Sequence, residues 1–307
     1  MSLRVGVVGL PNVGKSTLFN ALLKKRVALS ANYPFATVEP NIGVVAVPDN
    51  RLEKLAQIEE DSHGVYPPIV PAACEFVDIA GLVKGASQGE GLGNQFLSHI
   101  RQVDTIIHVL RDFADPNIIR AEAVNPEEDK KLVETELELA DLDKVDKLST
   151  KPVLYVYNVS EDEYRQKVHD REQNDYEMVI CAKLEEELVE LPEEERKAYL
   201  KELGIEETGL ERLIKKAYNL LGLVSYLTAG KKEVRAWTIR AGMKAPQAAG
   251  VIHTDFEKNF IRAQVVSYEQ LVEAGSLAQA KKKGWVRTEG KDYVVKDGDV
   301  VEFLIGS

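Results

Sequence analysis

A strand followed by a glycine-containing loop near the start of the chain constrains its fold more than any other feature. Residues 9–17 read Gly-Leu-Pro-Asn-Val-Gly-Lys-Ser-Thr and directly follow the mostly apolar residues 3–8. The run matches the phosphate-binding pattern G-x-x-x-x-G-K-[ST] in its strand–loop–helix context. Gly9 and Gly14 permit backbone turns that residues with a Cβ resist, so the loop N–H groups can point at phosphate oxygens.

Two side chains of the loop carry the chemistry expected at a triphosphate. Lys15 would bring a positive charge to the β- and γ-phosphates, and Ser16 would offer a hydroxyl to Mg²⁺. The helix that begins near Lys15 directs the positive end of its dipole at the same phosphates. The pattern therefore predicts a P-loop nucleotide site at the end of the first strand.

Apolar strand-like runs alternate with helix-like stretches up to about residue 220. This βα alternation predicts an α/β fold, a doubly wound and mainly parallel sheet with helices on both faces. After residue 223 the pattern changes to half-exposed strands, and residues 294–301 are expected to form two short strands around an Asp-Gly turn. We therefore expect two domains, residues 1–221 and 222–307. The strands expected in the first are residues 3–8, 42–47, 74–78, 105–110, 153–157 and 178–180, and its helices are residues 15–24, 127–148, 193–203 and 209–221.

Charge and composition limit the classes of partner. The net charge of −11 argues against indiscriminate nucleic-acid binding. Residues 222–307 carry 13 Lys/Arg against 10 Asp/Glu, so a mildly basic second domain follows an acidic first one. The sequence has no apolar run of about 18 residues, and we expect no membrane-spanning helix. Cys74 and Cys181 stand far apart beside apolar residues, and we interpret both as small buried residues.

Further candidate site residues follow the P-loop along the chain. Asp78 and Gly81 form a D-x-x-G motif after an apolar strand, where an Asp holds Mg²⁺ through water and a Gly N–H reaches the γ-phosphate. Thr37 is the candidate switch threonine, whose hydroxyl would meet Mg²⁺. We therefore predict Lys15, Asp78 and Gly81 as catalytic residues, and Ser16 and Thr37 as metal ligands.

Residues 155–161, Tyr-Val-Tyr-Asn-Val-Ser-Glu, bear on the choice of base. A guanine-specific site reads Asn-Lys-x-Asp here, and its Asp carboxylate accepts two hydrogen bonds from guanine. In this chain Glu161, with an additional methylene, replaces that Asp, and Val159 replaces the Lys. Losing hydrogen bonds to a charged acceptor costs about 1.5–3 kcal/mol each, enough to erase a guanine preference. Asn158 can still hydrogen-bond an adenine amino edge, so the motif favours ATP over GTP.

Together these motifs resemble the YchF-type branch of the Obg-related P-loop NTPases. Two longer runs strengthen the resemblance, residues 32–41 and residues 78–96, which read DIAGLVKGASQGEGLGNQF. Residues 245–250, 253–256 and 290–293 resemble the TGS domain of that family. The resemblance covers nearly the whole chain. It implies a cytoplasmic ATPase of weak intrinsic turnover that associates with ribosomes, and a C-terminal TGS domain of the ubiquitin-like β-grasp type.

The resemblance also implies roles for individual residues. Mg²⁺ is implied on Ser16 and Thr37. Phe113 would stack on the base, although a core phenylalanine at a strand end is an equal alternative. The phosphates of ATP are implied on Asn12, Val13, Gly14, Lys15, Ser16 and Thr17, and the adenine is implied near Phe113, Asn158, Val159 and Ala182.

Two departures from the family pattern, together with the residues Leu82 and Asn12, bear on partners and mechanism. Relatives carry a long helical hairpin before the strand at residue 153, and here an insertion near residues 141–152 is absent or truncated, which puts any partner docking on that arm in doubt. Arg120 stands where relatives often have His, and Leu82 stands where many Ras-like enzymes place a water-orienting Gln. In related NTPases an Asn at the position of Asn12 accompanies a bound K⁺, and shaping of the loop is the alternative role.

The leading interpretation is an Mg²⁺-dependent ATP hydrolase that acts as a translation-associated switch, with K⁺ as a candidate second cation. A GTPase of the Obg type is the alternative within the same chemistry. A ribosome- or RNA-binding module with incidental hydrolysis is the alternative of another class. Residues 281–287 combine lysines with Trp285, which suits contact with RNA. We expect neither a membrane nor a specific DNA sequence as a partner.

Overall fold

The chain forms two compact units in the computed structural model, which describes residues 3–26, 41–79, 92–114, 124–142, 147–168 and 174–306. One unit comprises Met1–Ala46 with Cys74–Leu221, and the other comprises Val47–Ala73 with Gly222–Ser307. The strands are β1 (Arg4–Val8), β2 (Ile42–Ala46), β3 (Ile69–Val70), β4 (Ala73–Asp78), β5 (Thr105–Arg111), β6 (Val153–Asn158), β7 (Glu177–Ile180), β8 (Leu223–Ala229), β9 (Val234–Arg240), β10 (Phe260–Ser267), β11 (Arg287–Glu289) and β12 (Asp299–Ile305). The helices are α1 (Lys15–Arg26), α2 (Arg51–His63), α3 (Leu92–Arg101), α4 (Pro126–Ala140), α5 (Glu161–Lys167), α6 (Ala182–Glu190), α7 (Glu193–Glu202), α8 (Gly209–Leu220), α9 (Ala245–Ile252), α10 (Thr254–Lys258), α11 (Tyr268–Ala274) and α12 (Leu277–Lys282).

The first unit contains a six-stranded sheet in the order β2-β4-β1-β5-β6-β7. Strands β4, β1, β5, β6 and β7 pair with one another in parallel. All seven residues of β5 are buried, as expected for a strand covered on both faces. Strand β1 lies between β4 and β5, and the chain segments that follow it lead to strands on both sides of β1. In folds of this kind, ligands bind in the crevice that such a divergence leaves at the carboxyl ends of the strands. The predicted doubly wound α/β sheet is confirmed.

One predicted helix, at residues 127–148, is wrong in its length. Helix α4 begins after Asn125, whose side chain accepts the N–H of Glu128, and it ends at Ala140. The carboxylate of Asp141 accepts hydrogen bonds from the N–H groups of Leu148 and Ser149, each at 2.7 Å. The Asp141 carboxylate therefore caps a separate turn of 3₁₀ helix at Leu148–Thr150. This local hydrogen bonding competes with continuation of the α-helix.

The second unit is built on a sheet in the order β11-β10-β12-β8-β9-β3. Its last strand, β12, lies parallel beside its first C-terminal strand, β8, between two antiparallel pairs. Residues of α9 pack on this sheet in a core that includes Tyr226, Ala248 and Phe260. The order of the five C-terminal strands and the helix that packs on them are those of a β-grasp fold, as expected.

Residues 47–73 depart from the expected division at residue 221, because they belong to the second unit. Strand β3 pairs with β9 in parallel register, Ile69 opposite Val234. Arg51, at the start of α2, donates to Asp49 at 2.8 Å and to Asp297 at 2.7 Å. The chain therefore leaves the first sheet after β2, contributes a helix and an edge strand to the second unit, and returns as β4.

The two short strands expected at residues 294–301 are replaced by a bridge and a strand. Val294 forms a single antiparallel bridge with Lys244, and the second strand begins only at Asp299. Gly298 has a φ of 77°, so a turn does lie at the Asp-Gly pair. Among the described helices, none has the length and apolarity needed to cross a bilayer.

Candidate nucleotide site

The loop between β1 and α1 has the backbone that its glycines predict. Gly14 adopts a φ of 90°, and its carbonyl accepts the N–H of Leu18 at 3.0 Å in the first turn of α1. A Cβ on Gly14 would lie 2.2 Å from Nδ2 of Asn158, and one on Gly9 would lie 2.8 Å from the Val109 carbonyl. Both positions therefore require glycine for space, and Gly14 requires it for conformation as well.

Asn12 is the single non-glycine residue with positive φ, 62°, within the described part of the chain. Asn tolerates this left-handed region better than most residues with a Cβ. Its side chain is exposed and borders the cavity described below. The conformation supports a loop-shaping role for Asn12, and the side chain also remains free to approach a ligand.

The charged residues predicted for catalysis meet at the ends of β1 and β4. The ammonium of Lys15 donates to the carboxylate of Asp78 in a close ion pair, with side chains 12% and 24% exposed. The register of β1 and β4 places Val7 beside Asp78, which brings this acid from a sequence distance of more than 60 residues to the P-loop. The arrangement sets one positive and one negative group where a phosphate and its metal ion would need them.

Asn158 joins three loops at the carboxyl edge of the sheet. Its Nδ2 donates to the Val13 carbonyl at 2.9 Å, and its Oδ1 accepts the N–H of Ala182 at 2.9 Å. The residue is 5% exposed. The amide therefore fixes the P-loop against the loop after β7, a structural role that the motif did not predict. One hydrogen and one lone pair of the amide remain for a ligand.

These loops enclose a cavity of about 900 Å³ at the carboxyl edge of the sheet. The volume lies within the range of pockets that bury small-molecule ligands, about 300–1,000 Å³. Among the predicted phosphate and base residues, Val13 alone is absent from the lining, because its side chain is buried beneath the loop. The lining includes Asn12, Gly14, Lys15, Ser16, Thr17, Phe113, Asn158, Val159, Ser160, Glu161, Cys181, Ala182 and Lys183.

Phe113 lines the cavity and is contacted by Arg111, an interaction that the sequence motifs did not predict. The guanidinium carbon of Arg111 lies 4.9 Å from the centre of the Phe113 ring, and Nε of Arg111 donates to the Phe113 carbonyl at 3.1 Å. Arg111 is 3% exposed. The position of Arg111, at the end of a mostly apolar strand, is the sequence feature that could have indicated this buried contact.

Glu161, the residue predicted to replace the guanine-reading Asp, is the first residue of α5 and borders the cavity. It accepts a hydrogen bond from the hydroxyl of Tyr199 at 2.8 Å. Tyr199 lies on α7, and no motif in its neighbourhood pointed to the site. The contact is therefore a second feature that only the folded chain reveals.

Both cysteines are buried free thiols, as expected. Burial raises the pKa of Cys74 to about 12 and raises the pKa of Cys181, although Cys181 borders the cavity. Neither thiol therefore has the lowered pKa of a reactive cysteine. Among the described residues, no group of three or more His, Cys, Asp or Glu side chains is arranged to hold a metal ion.

Several predicted site residues lie outside the described residues. Thr37, Gly81, Leu82 and Arg120 belong to this set, so the switch threonine and the Gly of D-x-x-G stay predictions. Ser16, the other predicted metal ligand, is exposed at the start of α1.

The sheet order, the loop geometry and the paired Lys15 and Asp78 together define a P-loop NTPase. Family comparison agrees, because the family described as a 50S ribosome-binding GTPase matches residues 4–159. The YchF GTPase C-terminal family, described as a protein of unknown function (DUF933), matches residues 223–306. The chain belongs to the YchF family.

Three relatives support this assignment along the whole chain. The ribosome-binding ATPase YchF of Bacillus subtilis is 46% identical over 99% of both chains, and its namesake in Escherichia coli O157:H7 is 44% identical over 99% of both. The solved structure of the Schizosaccharomyces pombe YchF GTPase shares 34% identity and a TM-score of 0.83, covering 99% of this chain and 98% of that one. The likeness therefore extends over both units.

The comparison with the Bacillus subtilis protein also reveals a difference in length. That alignment runs over 368 positions, which is 61 more than the 307 residues of this chain. At least that many positions of the alignment therefore have no residue here, although the ends of both chains are covered. The unmatched positions are therefore internal to the alignment, and their number would suffice for a helical hairpin.

Proposed function

We propose that this chain is a cytoplasmic, Mg²⁺-dependent ATPase that associates with ribosomes and acts as a nucleotide-dependent switch. The observation that carries the proposal is a single cavity lined both by the P-loop and by the residues predicted to contact the base, with Glu161 among its lining residues. The names of the Bacillus subtilis and Escherichia coli relatives, ribosome-binding ATPase, support both parts of it.

The phosphates would lie on the P-loop. The N–H groups of residues 12–17 and the ammonium of Lys15 would bind them, and Gly81 would add an N–H at the γ-phosphate. Lys15 now contacts Asp78, so its ammonium would exchange this carboxylate for phosphate oxygens on binding. The base would lie against Phe113, Asn158, Val159 and Ala182, which all line the cavity.

The donor set at the phosphate end fits Mg²⁺. Ser16 and, as predicted from the sequence, Thr37 would offer hydroxyls and Asp78 would offer a carboxylate, and Mg²⁺ prefers few such hard oxygen ligands completed by phosphate and water. When bound, the ion would neutralise charge on the phosphates. Asn12 is the candidate for supporting a K⁺ ion, and equal turnover in K⁺ and Na⁺ would remove that part of the proposal.

Titration of the protein with ATP and with GTP, each with Mg²⁺, tests the choice of nucleotide. We expect tighter binding of ATP, because Glu161 does not offer guanine the geometry of an Asp. The Ser16→Ala variant should weaken Mg²⁺-dependent ATP binding by about tenfold or more, since it removes a hydrogen-bonding and metal-binding hydroxyl. Ser98→Ala, at an exposed serine of α3, is the matched control and should bind as the wild type does.

A GTPase is the second candidate, because the family matching residues 4–159 and the Schizosaccharomyces pombe structure both carry that description. The same titration separates the two: binding of GTP more tightly than ATP would replace the ATPase proposal with this one. Hydrolysis of each nucleotide, measured as phosphate release, gives the corresponding catalytic preference. Asp78→Asn should slow release of phosphate from the preferred nucleotide.

We further propose that residues 222–307 form a TGS domain that faces ribosomal RNA or protein. Lys281 and Lys282 are exposed, and the ammonium of Lys283 lies 4.1 Å from the centre of the Trp285 ring. Co-sedimentation with ribosomes, with and without ATP, tests the association. If Ser16→Ala binds ribosomes as the wild type does under both conditions, nucleotide does not gate the contact, and the chain is a binding module.

The missing positions relative to Bacillus subtilis YchF would correspond to the helical arm near residues 141–152. A turn of 3₁₀ helix at Leu148–Thr150 leads directly into β6, which leaves little chain for an arm. A partner that docks on such an arm in a relative would therefore fail to bind this chain. Pull-down of ribosomes with this chain and with the Bacillus subtilis protein would separate contacts that need the arm from those that do not.

A further inference from the structure

A tyrosine on a neighbouring helix holds the acidic residue at the base side of the cavity. The hydroxyl of Tyr199 on α7 donates to Oε1 of Glu161 at 2.8 Å. Glu161 is 38 residues away in sequence, is exposed at the start of α5 and borders the cavity. One of the two carboxylate oxygens is therefore already engaged by the protein.

The position of the Tyr199 hydroxyl is fixed by the packing of its ring. Tyr199 is half-buried and packs against a core cluster that contains Tyr164, Leu188 and Leu200. Leu200, the next residue of α7, is 5% exposed and anchors this face of the helix. The hydroxyl is thus presented to Glu161 by a ring that packs against the core of the first unit.

The two purines place opposite demands on a carboxylate at this position. Guanine offers two donors, N1–H and the exocyclic 2-amino group, and a carboxylate binds both when each oxygen is available. Adenine offers a lone pair at N1, which a free carboxylate would repel. A carboxylate turned toward α7 therefore disfavours guanine and leaves adenine undisturbed.

We propose that Tyr199 is a positioning residue for nucleotide selectivity, because its hydroxyl holds the Glu161 carboxylate away from the base and so opposes binding of guanine. This inference rests on the proposed binding of adenine nucleotides in the cavity. Guanine could recruit Glu161 only by breaking the hydrogen bond to Tyr199. The loss of one hydrogen bond to a charged group corresponds to about a tenfold change in affinity.

Isothermal titration of the full chain with ADP, GDP and IDP, each with Mg²⁺, tests the proposal. In Tyr199→Phe the dissociation constant for GDP should fall about tenfold. That for IDP should fall less, because its base lacks the 2-amino group, and that for ADP should change by less than about twofold. Tyr176→Phe is the matched control, since Tyr176 is exposed, lies outside the cavity lining and should leave all three constants unchanged.

A second variant shows whether the effect passes through Glu161. In a Glu161→Gln background, Tyr199→Phe should change none of the three affinities, because no carboxylate remains to be released. Thermal unfolding of each variant verifies that α7 stays folded. If Tyr199→Phe loses its fold, Glu161→Gln alone decides: a carboxylate held away from the base predicts an unchanged GDP affinity, and a marked fall in GDP affinity would overturn the inference.

The outcomes separate this inference from the proposed function. Tighter binding of ADP than GDP by the wild type, with an unchanged ratio in Tyr199→Phe, would overturn the role of Tyr199 and leave the proposed function intact. Tighter binding of GDP by the wild type would overturn the proposed function itself, and this inference with it. A rise in GDP affinity in Tyr199→Phe that persists in the Glu161→Gln background would also overturn it.

Discussion

The side-chain amide of Asn158 donates to the backbone carbonyl of Val13 at 2.9 Å, across 145 residues of sequence. The same amide accepts the N–H of Ala182. A residue that the sequence suggests for recognition of a base is therefore also the clamp that holds the phosphate-binding loop in place. Loss of this amide should affect the protein even in the absence of any nucleotide.

Asn158→Ala should lower the free energy of unfolding of the chain by about 2–4 kcal/mol, because it leaves a buried carbonyl and a buried N–H without partners. Urea unfolding followed by circular dichroism measures the change. Asn219→Ala, at an exposed position of α8, is the control and should stay within about 0.5 kcal/mol of the wild type. A similar small change in Asn158→Ala would contradict the clamp.

Gly14→Ala should destabilise the chain more than the same substitution at a glycine that has a positive φ but no close neighbour. The new methyl group would meet Asn158 at 2.2 Å in addition to the strain of a positive φ. Gly204→Ala is the matched control, since Gly204 has a φ of 72° and no atom lies within 4 Å of the position that a Cβ would take there. We expect about 1 kcal/mol for the control and about 2 kcal/mol or more for Gly14→Ala, both measured in urea. Equal costs would mean that the loop yields to the methyl group.

The buried His108 should make the protein sensitive to acid. Burial lowers the pKa of His108 to about 3 from the ordinary 6.5. Between these two values the unfolded chain binds a proton at this histidine, whereas the folded chain does not. The stability that this neutral histidine provides is complete above pH 6.5 and falls as the pH drops toward 3, by about 1.4 kcal/mol per unit.

His108→Leu should therefore reduce the slope of unfolding free energy against pH between pH 6 and 4 by about one proton. Nε2 of His108 has no hydrogen-bond partner among the described residues, so an apolar replacement is tolerated at this site. An unchanged slope in His108→Leu would show that His108 is protonated in the folded chain.

Arg51→Met should destabilise the second unit, although residue 51 lies between two strands of the first sheet in sequence. The Arg51 guanidinium donates hydrogen bonds to Asp49 and Asp297, and these contacts raise its pKa, chiefly through Asp49. Removing the guanidinium leaves the Asp49 carboxylate, 9% exposed, without its cation. We expect a loss of about 1–3 kcal/mol.

Tryptophan fluorescence reports this loss selectively. The chain has two tryptophans, Trp237 and Trp285, and both belong to the second unit. The fluorescence midpoint in urea should therefore fall in Arg51→Met. Lys54→Met, an exposed residue of the same helix, is the matched control, and a midpoint equal to that control would argue against anchoring of α2 through Arg51.

Much of the nucleotide site could be predicted because its signals are local. The glycines and Lys15 stand at fixed spacings, and a run of apolar residues before them identifies the strand that presents the loop. Asp78 could be predicted as well, since parallel strands bring their carboxyl ends to the same edge. The role of Tyr199 could not be predicted, because a tyrosine on a mostly charged helix has the same sequence signature whether its hydroxyl meets Glu161 or solvent.

The division of the chain illustrates the same limit. The change of pattern near residue 222 is visible in composition, whereas the transfer of residues 47–73 to the second unit depends on the pairing of Ile69 with Val234 and on the ion pair of Arg51 with Asp297. Nothing in a short helix and a two-residue strand specifies which sheet they will join.

The order of residues along the chain is enough to predict the phosphate-binding loop, the parallel sheet behind it and the replacement of a guanine-reading Asp by Glu161, because backbone conformation and residue type act at short range. The tertiary structure alone decided that Asn158 clamps the loop, that Arg111 supports Phe113 and that Tyr199 holds Glu161. These contacts join groups that only packing brings within hydrogen-bonding or van der Waals distance, and such proximity has no local signature in the chain.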